Sequence, residues 1–157
     1  MYSDYFEEWE VKEEYSKEFI SLWEGWLGAE NSHKLDEVTE PEWARFNELL
    51  IRLAKDFTLE LVSFENKSLK RVSNIELLLS NYSDSMNKDS SKFINFVIPE
   101  LECVVSEEWD FTYIIWHKNN GAVEAIIPPG LTHEDNHSHL VCSSMNLSNS
   151  PIRLSLF

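Results

Sequence analysis

The chain has 157 residues, with 28 acidic and 13 basic side chains and a formal net charge of −15. This balance excludes most nucleic-acid-binding domains, which attract phosphates with a basic face, and it opposes docking on an anionic membrane. A hydrophobic content of 43% and an aromatic content of 13% suffice for a buried core and exclude a disordered polyelectrolyte. We therefore expect a single acidic domain over residues 1–157.

The first twenty residues carry seven acids, the reverse of the cationic start of a secretory signal. No apolar run approaches the roughly 18 residues that a membrane helix needs. We expect a cytoplasmic protein in which Cys103 and Cys142 are reduced. Cys103 lies in an apolar run and is expected to behave as a small buried hydrophobe.

The opening segment has apolar residues at helical spacing. Because these side chains recur on one face of a 3.6-residue repeat, the pattern predicts a long amphipathic helix. Ser3 or Asp4 would cap its first N–H groups, and Gly25 with Gly28 would loosen its end. The stripe consists of Tyr15, Phe19, Leu22, Trp23 and Trp26.

A second helix is predicted to begin at a capping box formed by Thr39 and Glu42, with Pro41 in its first turn. A strand is predicted over 58–64. Ser73 and Glu76 repeat the capping box and predict a third, shorter helix, after which residues 81–91 have the composition of a loop.

From residue 93 onward, β-branched and aromatic runs predict strands over 93–98, 101–105 and 111–117. Asn120-Gly121 predicts a hairpin with a returning strand over 122–127, a segment that also suits a short helix. An alternating run over 152–157 predicts a last edge strand. The fold class predicted is α+β, with two or three N-terminal helices (about 1–82) on an antiparallel sheet of about four to five strands (about 93–157). Both faces of the central strands are apolar, so the second face needs another layer or a partner, and a homodimer would provide one.

The charge is concentrated near the start of the chain, where residues 1–60 hold sixteen acids and six bases. Glutamates four apart on a helix repel, so a sequence that keeps them can be using the field to attract a cationic partner. Interleaved aromatic side chains would anchor such a contact. An ordinary solvated helix face is the alternative. The candidate partner-binding residues are Glu7, Trp9, Glu10, Glu14, Tyr15 and Glu18.

A histidine cluster follows Pro-Pro-Gly near the end of the chain. His137 and His139 would share a face of a strand, and His133 with His137 a face of a helix, either of which suits a zinc site. A polar loop with fortuitous histidines is the alternative. A further acidic group, Glu107, Glu108 and Asp110, would be either soluble turn residues or paired carboxylates for acid–base or cation chemistry.

The sequence contains no glycine-rich phosphate loop, no nucleophile elbow and no His-Glu-x-x-His motif. We therefore expect a non-enzymatic domain that binds a basic protein, in the concrete form of an immunity-type inhibitor of a basic toxin or enzyme. One alternative is a DNA mimic that blocks a nucleic-acid-binding protein. Another is a metal-dependent enzyme that uses His133, His137 and His139.

Overall fold

A computed structural model of the chain describes residues 1–23, 27–79, 81–127, 141–144 and 154–155, the last two segments by their backbone alone. The helices are α1 (Tyr2–Tyr5), α2 (Glu40–Asp56), α3 (Tyr82–Met86) and α4 (Asn120–Ile126), with 3-10 turns at Ala29–Asp36, Ile75–Leu77, Ser90–Lys92 and Pro99–Leu101. The strands are β1 (Phe6–Glu7), β2 (Glu10–Val11), β3 (Ser16–Ser21), β4 (Glu60–Ser63), β5 (Ser68–Arg71), β6 (Asn95–Ile98), β7 (Cys103–Glu108), β8 (Thr112–His117), β9 (Val141–Ser144) and β10 (Leu154–Ser155).

Six strands form the body of one large sheet in the order β3-β8-β7-β6-β4-β5, and each neighbouring pair is antiparallel. Two short segments extend it at β3, where β9 pairs antiparallel and β10 pairs parallel. β1 and β2 form a separate two-stranded hairpin. The α+β class is therefore confirmed, but the sheet is larger than predicted and the helices are not gathered at the N-terminus.

The inner face of the sheet carries the main core, which α2 covers. Because successive strand side chains point to opposite faces, Val105 belongs to this face while Val104 belongs to the other. Phe46 of α2 stacks on Tyr113 of β8 with ring centroids 4.1 Å apart and planes at 3°. Leu50 is also fully buried in this cluster, so the apolar side chains of α2 pack against the sheet.

The capping box at the start of α2 is present as predicted. The backbone N–H of Thr39 donates to Glu42 Oε2 over 2.8 Å, and the Thr39 hydroxyl donates to the same oxygen over 2.6 Å. These bonds lower the pKa of the Glu42 carboxyl, the side-chain bond from Thr39 being the larger cause. The helix therefore begins at the residue that local signals indicate.

The outer face of the sheet is covered by the N-terminal segment of the same chain. Val97 and Val104 are both fully buried there. They pack in one cluster with four buried aromatic side chains, Tyr2, Tyr5, Phe6 and Tyr15. The second layer that the apolar strands require is therefore supplied within the chain, and the outer face no longer argues for a homodimer.

The long amphipathic helix predicted for the N-terminal segment is wrong. Residues 2–21 instead form α1, the β1–β2 hairpin and β3, which pairs with β8 over six residues. In a helix, Glu10, Glu14 and Glu18 would repel at i,i+4 spacing, whereas β3 buries Ile20 completely and satisfies its backbone against β8. Long-range pairing therefore decides the structure of this segment.

The predicted hairpin after β8 is wrong as well, and the alternative of a short helix is correct. Asn119 accepts a hydrogen bond from the backbone N–H of Ala122 over 3.2 Å and so caps α4. The predicted third helix is reduced to the 3-10 turn Ile75–Leu77, which Asn74 caps, and α3 lies inside the expected loop. The predicted strands over 58–64, 93–98 and 111–117 are confirmed as β4, β6 and β8. In the described part of the chain no helix has the length and apolar character to cross a bilayer.

Candidate functional site

The β1–β2 hairpin stands on the outer face of the sheet and turns at Glu8 and Trp9. Glu8 has a φ of 54°, and its carbonyl accepts a hydrogen bond from the hydroxyl of Tyr2. The backbone N–H of Lys12 donates to the carbonyl of Tyr5 over 3.0 Å, which closes the hairpin onto α1. Trp9 is left 67% exposed, although a side chain of this size is mostly buried in folded proteins.

Around this turn lies a dense group of exposed carboxylates, which we call the acidic hairpin. Within residues 4–14 the only basic side chain is Lys12, and it is half-buried. Glu7 and Glu10 face each other directly across the β1–β2 ladder, an arrangement that destabilises a pair of strands. The six members are Asp4, Glu7, Glu8, Glu10, Glu13 and Glu14, and all are exposed.

Two of these carboxylates have a cationic neighbour, since Asp4 is paired with the N-terminal ammonium of Met1, and Glu14 with Lys118, which follows β8. Lys118 Nζ lies 3.3 Å from Glu14 Oε1 and 4.8 Å from the centroid of the Tyr15 ring. The backbone N–H of Glu14 itself, followed by the Lys118 ammonium, lowers the pKa of the Glu14 carboxyl. Both partners are partly exposed, so solvent screens this pair. The other four carboxylates of the acidic hairpin make no salt bridge within the described part of the chain.

A cleft of about 750 Å³ lies between the acidic hairpin and the outer face of the sheet. Its floor includes Asn95 of β6 and Ser106 of β7, and Ser106 Oγ accepts a hydrogen bond from Trp116 Nε1 over 3.2 Å. That bond fixes the edge of the Trp116 ring. The aromatic side chains that line the cleft are Phe6, Trp9, Tyr15, Phe64 and Trp116.

Charged side chains line the same cleft. Lys17 of β3 lies directly opposite Trp116 in the β3–β8 register, and its ammonium is 4.3 Å from the centroid of that ring. The carboxylates that line the cleft are Glu10, Glu13 and Glu14. A smaller depression of about 350 Å³ adjoins it and is lined by residues 7–13.

The structure brings four of the six predicted partner-binding residues to this cleft: Trp9, Glu10, Glu14 and Tyr15. Glu7 lines the adjoining depression. Tyr15 is only 7% exposed, and burial raises the pKa of its hydroxyl to about 12, so it forms a wall of the cleft rather than a free anchor. Sequence reasoning missed Lys17, Ser106 and Trp116, because no local pattern indicates that the hairpin crosses these strands.

Glu18, the sixth predicted residue, lies away from the cleft. Its side chain points to the inner face of the sheet, where Glu18 Oε1 is 3.9 Å from His117 Nε2. Both side chains are largely buried, and the Nδ1 of His117 is 2.9 Å from the carbonyl oxygen of Asn119. Glu18 therefore cannot contact a partner that docks on the acidic hairpin.

The acidic group at residues 107–110 also differs from the exposed turn that was expected. Glu107 and Glu108 end β7, and Glu107 is only 9% exposed. Burial raises the pKa of the Glu107 carboxyl to about 7, against one hydrogen bond from the backbone N–H of Ile94. Cys103 is fully buried as predicted, and burial raises the pKa of its thiol to about 12.

The histidine cluster at His133, His137 and His139 lies outside the described residues, so the predicted zinc site has no structural account. Over the residues that the structure does describe, no three His, Cys, Asp or Glu side chains are grouped as metal ligands. The candidate chemistry of the described residues is therefore that of the cleft and of the buried Glu18, His117, Glu107 and Cys103 on the inner face.

In chemical terms, the cleft offers aromatic faces and carboxylates, and both attract cations. A guanidinium or ammonium group is held electrostatically over an aromatic face within about 6 Å of its centroid. Carboxylates form charge-assisted hydrogen bonds with the same groups. No family model, curated protein or solved structure matches the chain, so its function has to be inferred from the chemistry of this cleft.

Proposed function

We propose that the protein binds a basic protein partner through the acidic hairpin and the adjoining cleft, and that it catalyses no reaction on that partner. The observation that carries this proposal is the presence of six exposed carboxylates within residues 4–14 around an exposed Trp9. Glu7 and Glu10 repel across the hairpin, which lowers the stability of the fold. A gain in binding would explain why this repulsion is kept.

The two kinds of side chain would have separate parts in association. A concentrated negative field raises the rate of encounter with a cationic protein by roughly 10- to 1,000-fold. An exposed tryptophan then supplies contact area that slows dissociation, since tryptophan is enriched among residues that dominate binding energy. Steering by carboxylates therefore acts on the on-rate, and Trp9 acts on the off-rate.

In its concrete form, the proposed function is that of an immunity-type inhibitor, which covers the basic active site of a toxin or enzyme. The net charge of −15 and the cleft of about 750 Å³ support a partner with a cationic protruding surface. Inhibition by occlusion needs no catalytic group in the inhibitor. The buried Cys103 thiol, with its raised pKa, is unsuited to act as a nucleophile.

The proposal is tested by the kinetics of binding to a partner captured from the source organism at low salt. We expect the on-rate to fall at least about tenfold between about 20 mM and 500 mM NaCl. The E7Q/E10Q/E13Q variant, called the hairpin variant below, should bind about tenfold more slowly at low salt. It leaves Glu14 and its pair with Lys118 intact.

The matched control is E37Q/E76Q/E124Q, which removes the same charge from exposed glutamates elsewhere on the molecule. It should slow association much less than the hairpin variant. An on-rate independent of salt, or equal losses in the two variants, would refute the proposal. Release of the partner by duplex DNA would favour the DNA-mimic alternative instead.

A further inference from the structure

We propose that the cleft receives an arginine side chain of the basic partner on the face of Trp116, in the place that Lys17 now occupies. This inference rests on the proposed function and names the group that the cleft would recognise. Its starting observation is the Lys17 ammonium, which lies 4.3 Å from the Trp116 ring centroid inside the cleft.

Lys17 marks the ring as a cation site. Its side chain is exposed, and within the described part of the chain its ammonium makes no salt bridge. Lys118, which does not line the cleft, lies 4.8 Å from the ring of Tyr15, a side chain that does line it. Two of the aromatic side chains that line the cleft therefore already attract cations that the chain itself supplies.

An arginine is better suited to this place than Lys17. A guanidinium is planar, stacks on an indole face, is less strongly hydrated than an ammonium, and binds carboxylates with two parallel hydrogen bonds. The cleft that contains the ring is also lined by Glu10, Glu13 and Glu14, which can accept such bonds, against one further lysine, Lys12. The ring itself is held by its hydrogen bond to Ser106, so binding does not have to order it.

A lysine of the partner has no such advantage. Exchanging the Lys17 ammonium for another ammonium leaves the contact with Trp116 unchanged. Only the attraction of the carboxylates around the cleft then favours binding of a lysine. The site therefore predicts a preference for arginine over lysine at equal peptide charge. A preference for arginine over lysine would distinguish recognition in the cleft from attraction by the net negative charge of the protein.

The experiment uses the full chain with two probes, a hexa-arginine and a hexa-lysine peptide, at the same salt concentration. We expect hexa-arginine to bind at least about threefold more tightly by fluorescence anisotropy. In an ¹⁵N-labelled sample it should shift the indole N–H resonance of Trp116, which is assigned by its loss in Trp116→Phe. Equal affinities with an unmoved Trp116 resonance would overturn the inference.

Lys17→Met provides the second arm, because it removes the resident cation while keeping an unbranched side chain. Its control is Lys70→Met, which removes the same charge from an exposed position on β5. We expect Lys17→Met to tighten hexa-arginine binding at least about threefold more than Lys70→Met does. Equal tightening in both variants would show a long-range charge effect alone and would refute displacement of Lys17.

The two proposals fail in different ways. If the captured partner binds with kinetics that depend on the acidic hairpin but leaves the Trp116 resonance unmoved, only the arginine site is refuted. If the captured partner also associates independently of salt and of the hairpin variant, the proposed function is refuted with it.

Discussion

Glu107 is a carboxyl side chain in a part of the sheet that offers it little water. It is 9% exposed at the end of β7, opposite Tyr113 in the β7–β8 register. Its Oε2 accepts a hydrogen bond from the backbone N–H of Ile94 over 3.3 Å, which compensates only part of the loss of hydration. The pKa of about 7 therefore places the titration of a buried group near neutral pH.

This pKa predicts a loss of stability as the pH rises. Because the folded-state pKa of about 7 exceeds the ordinary value of 4.5, the native state holds the proton more tightly than the unfolded state does. The full stability is present below about pH 4.5 and is lost as the pH rises through 7. Relative to Glu107→Gln, the wild type should lose roughly 2–3 kcal/mol of unfolding free energy between pH 5 and pH 8.

Urea denaturation at the two pH values measures this difference. Glu48→Gln, an exposed position on α2, is the control, and its difference from the wild type should not change with pH. The prediction would be contradicted if the difference in unfolding free energy between the wild type and Glu107→Gln were the same at pH 5 and pH 8. It would mean that the carboxyl finds water or further donors on the inner face.

At the scale of elements, local signals predicted α2 and failed for the N-terminal segment. The signals that predict α2 all lie within one short stretch of the chain, which contains both the capping box of Thr39 and Glu42 and the helix itself. β3 depends on β8, almost a hundred residues away, and its aromatic spacing is equally compatible with a helix. The hairpin turn at Glu8 has a positive φ without a glycine to signal it.

The candidate site shows the same division. Trp9, Glu10 and Glu14 were identified for their charge and aromatic character, and they remain together because they are close in the sequence. Trp116 and Ser106 come from β8 and β7, and only the tertiary structure brings them under the hairpin. The predicted residues other than Glu18 thus lie near one another although the helix that grouped them is wrong, whereas the cleft itself was beyond single-sequence reasoning.

The cap of α4 provides a prediction at this scale. Asn119 accepts a hydrogen bond from the Ala122 N–H, so Asn119→Ala should lower the unfolding free energy by about 1 kcal/mol. Asn119→Asp keeps an acceptor at the positive end of the helix and should be close to the wild type. Urea denaturation and hydrogen exchange of the Ala122 amide measure both effects.

Asn120→Ala is the matched control, because Asn120 is the exposed first residue of the helix and the cap is formed by Asn119 instead. It should change the unfolding free energy by much less than Asn119→Ala. If the two variants were equally stable, the Asn119 side chain would contribute nothing as a cap of α4.

At the scale of the whole molecule, the sheet is covered by α2 on one face and by the N-terminal segment on the other. The buried aromatic side chains of that segment hold the acidic hairpin in place, while its exposed carboxylates face solvent. The N-terminal segment therefore both covers the outer face of the sheet and exposes the carboxylates of the acidic hairpin to solvent. A change in the exposed carboxylates should consequently affect electrostatics without removing the packing beneath them.

The hairpin variant tests this separation through the stability of the isolated protein. Removing three like charges, including the directly opposed Glu7 and Glu10, should raise the unfolding free energy by roughly a few tenths of a kcal/mol per relieved pair at low salt. The gain should disappear near 1 M salt, where the screening length is only about 3 Å. Urea denaturation of the hairpin variant and of E37Q/E76Q/E124Q at both salt concentrations measures this gain, and the control should gain less.

A hairpin variant that is less stable than the wild type would mean that these carboxylates make stabilising contacts within the fold. A binding partner would then not be needed to explain why the sequence keeps them. A variant that gains stability while it loses on-rate would instead identify the acidic hairpin as a surface kept for binding at the expense of the fold.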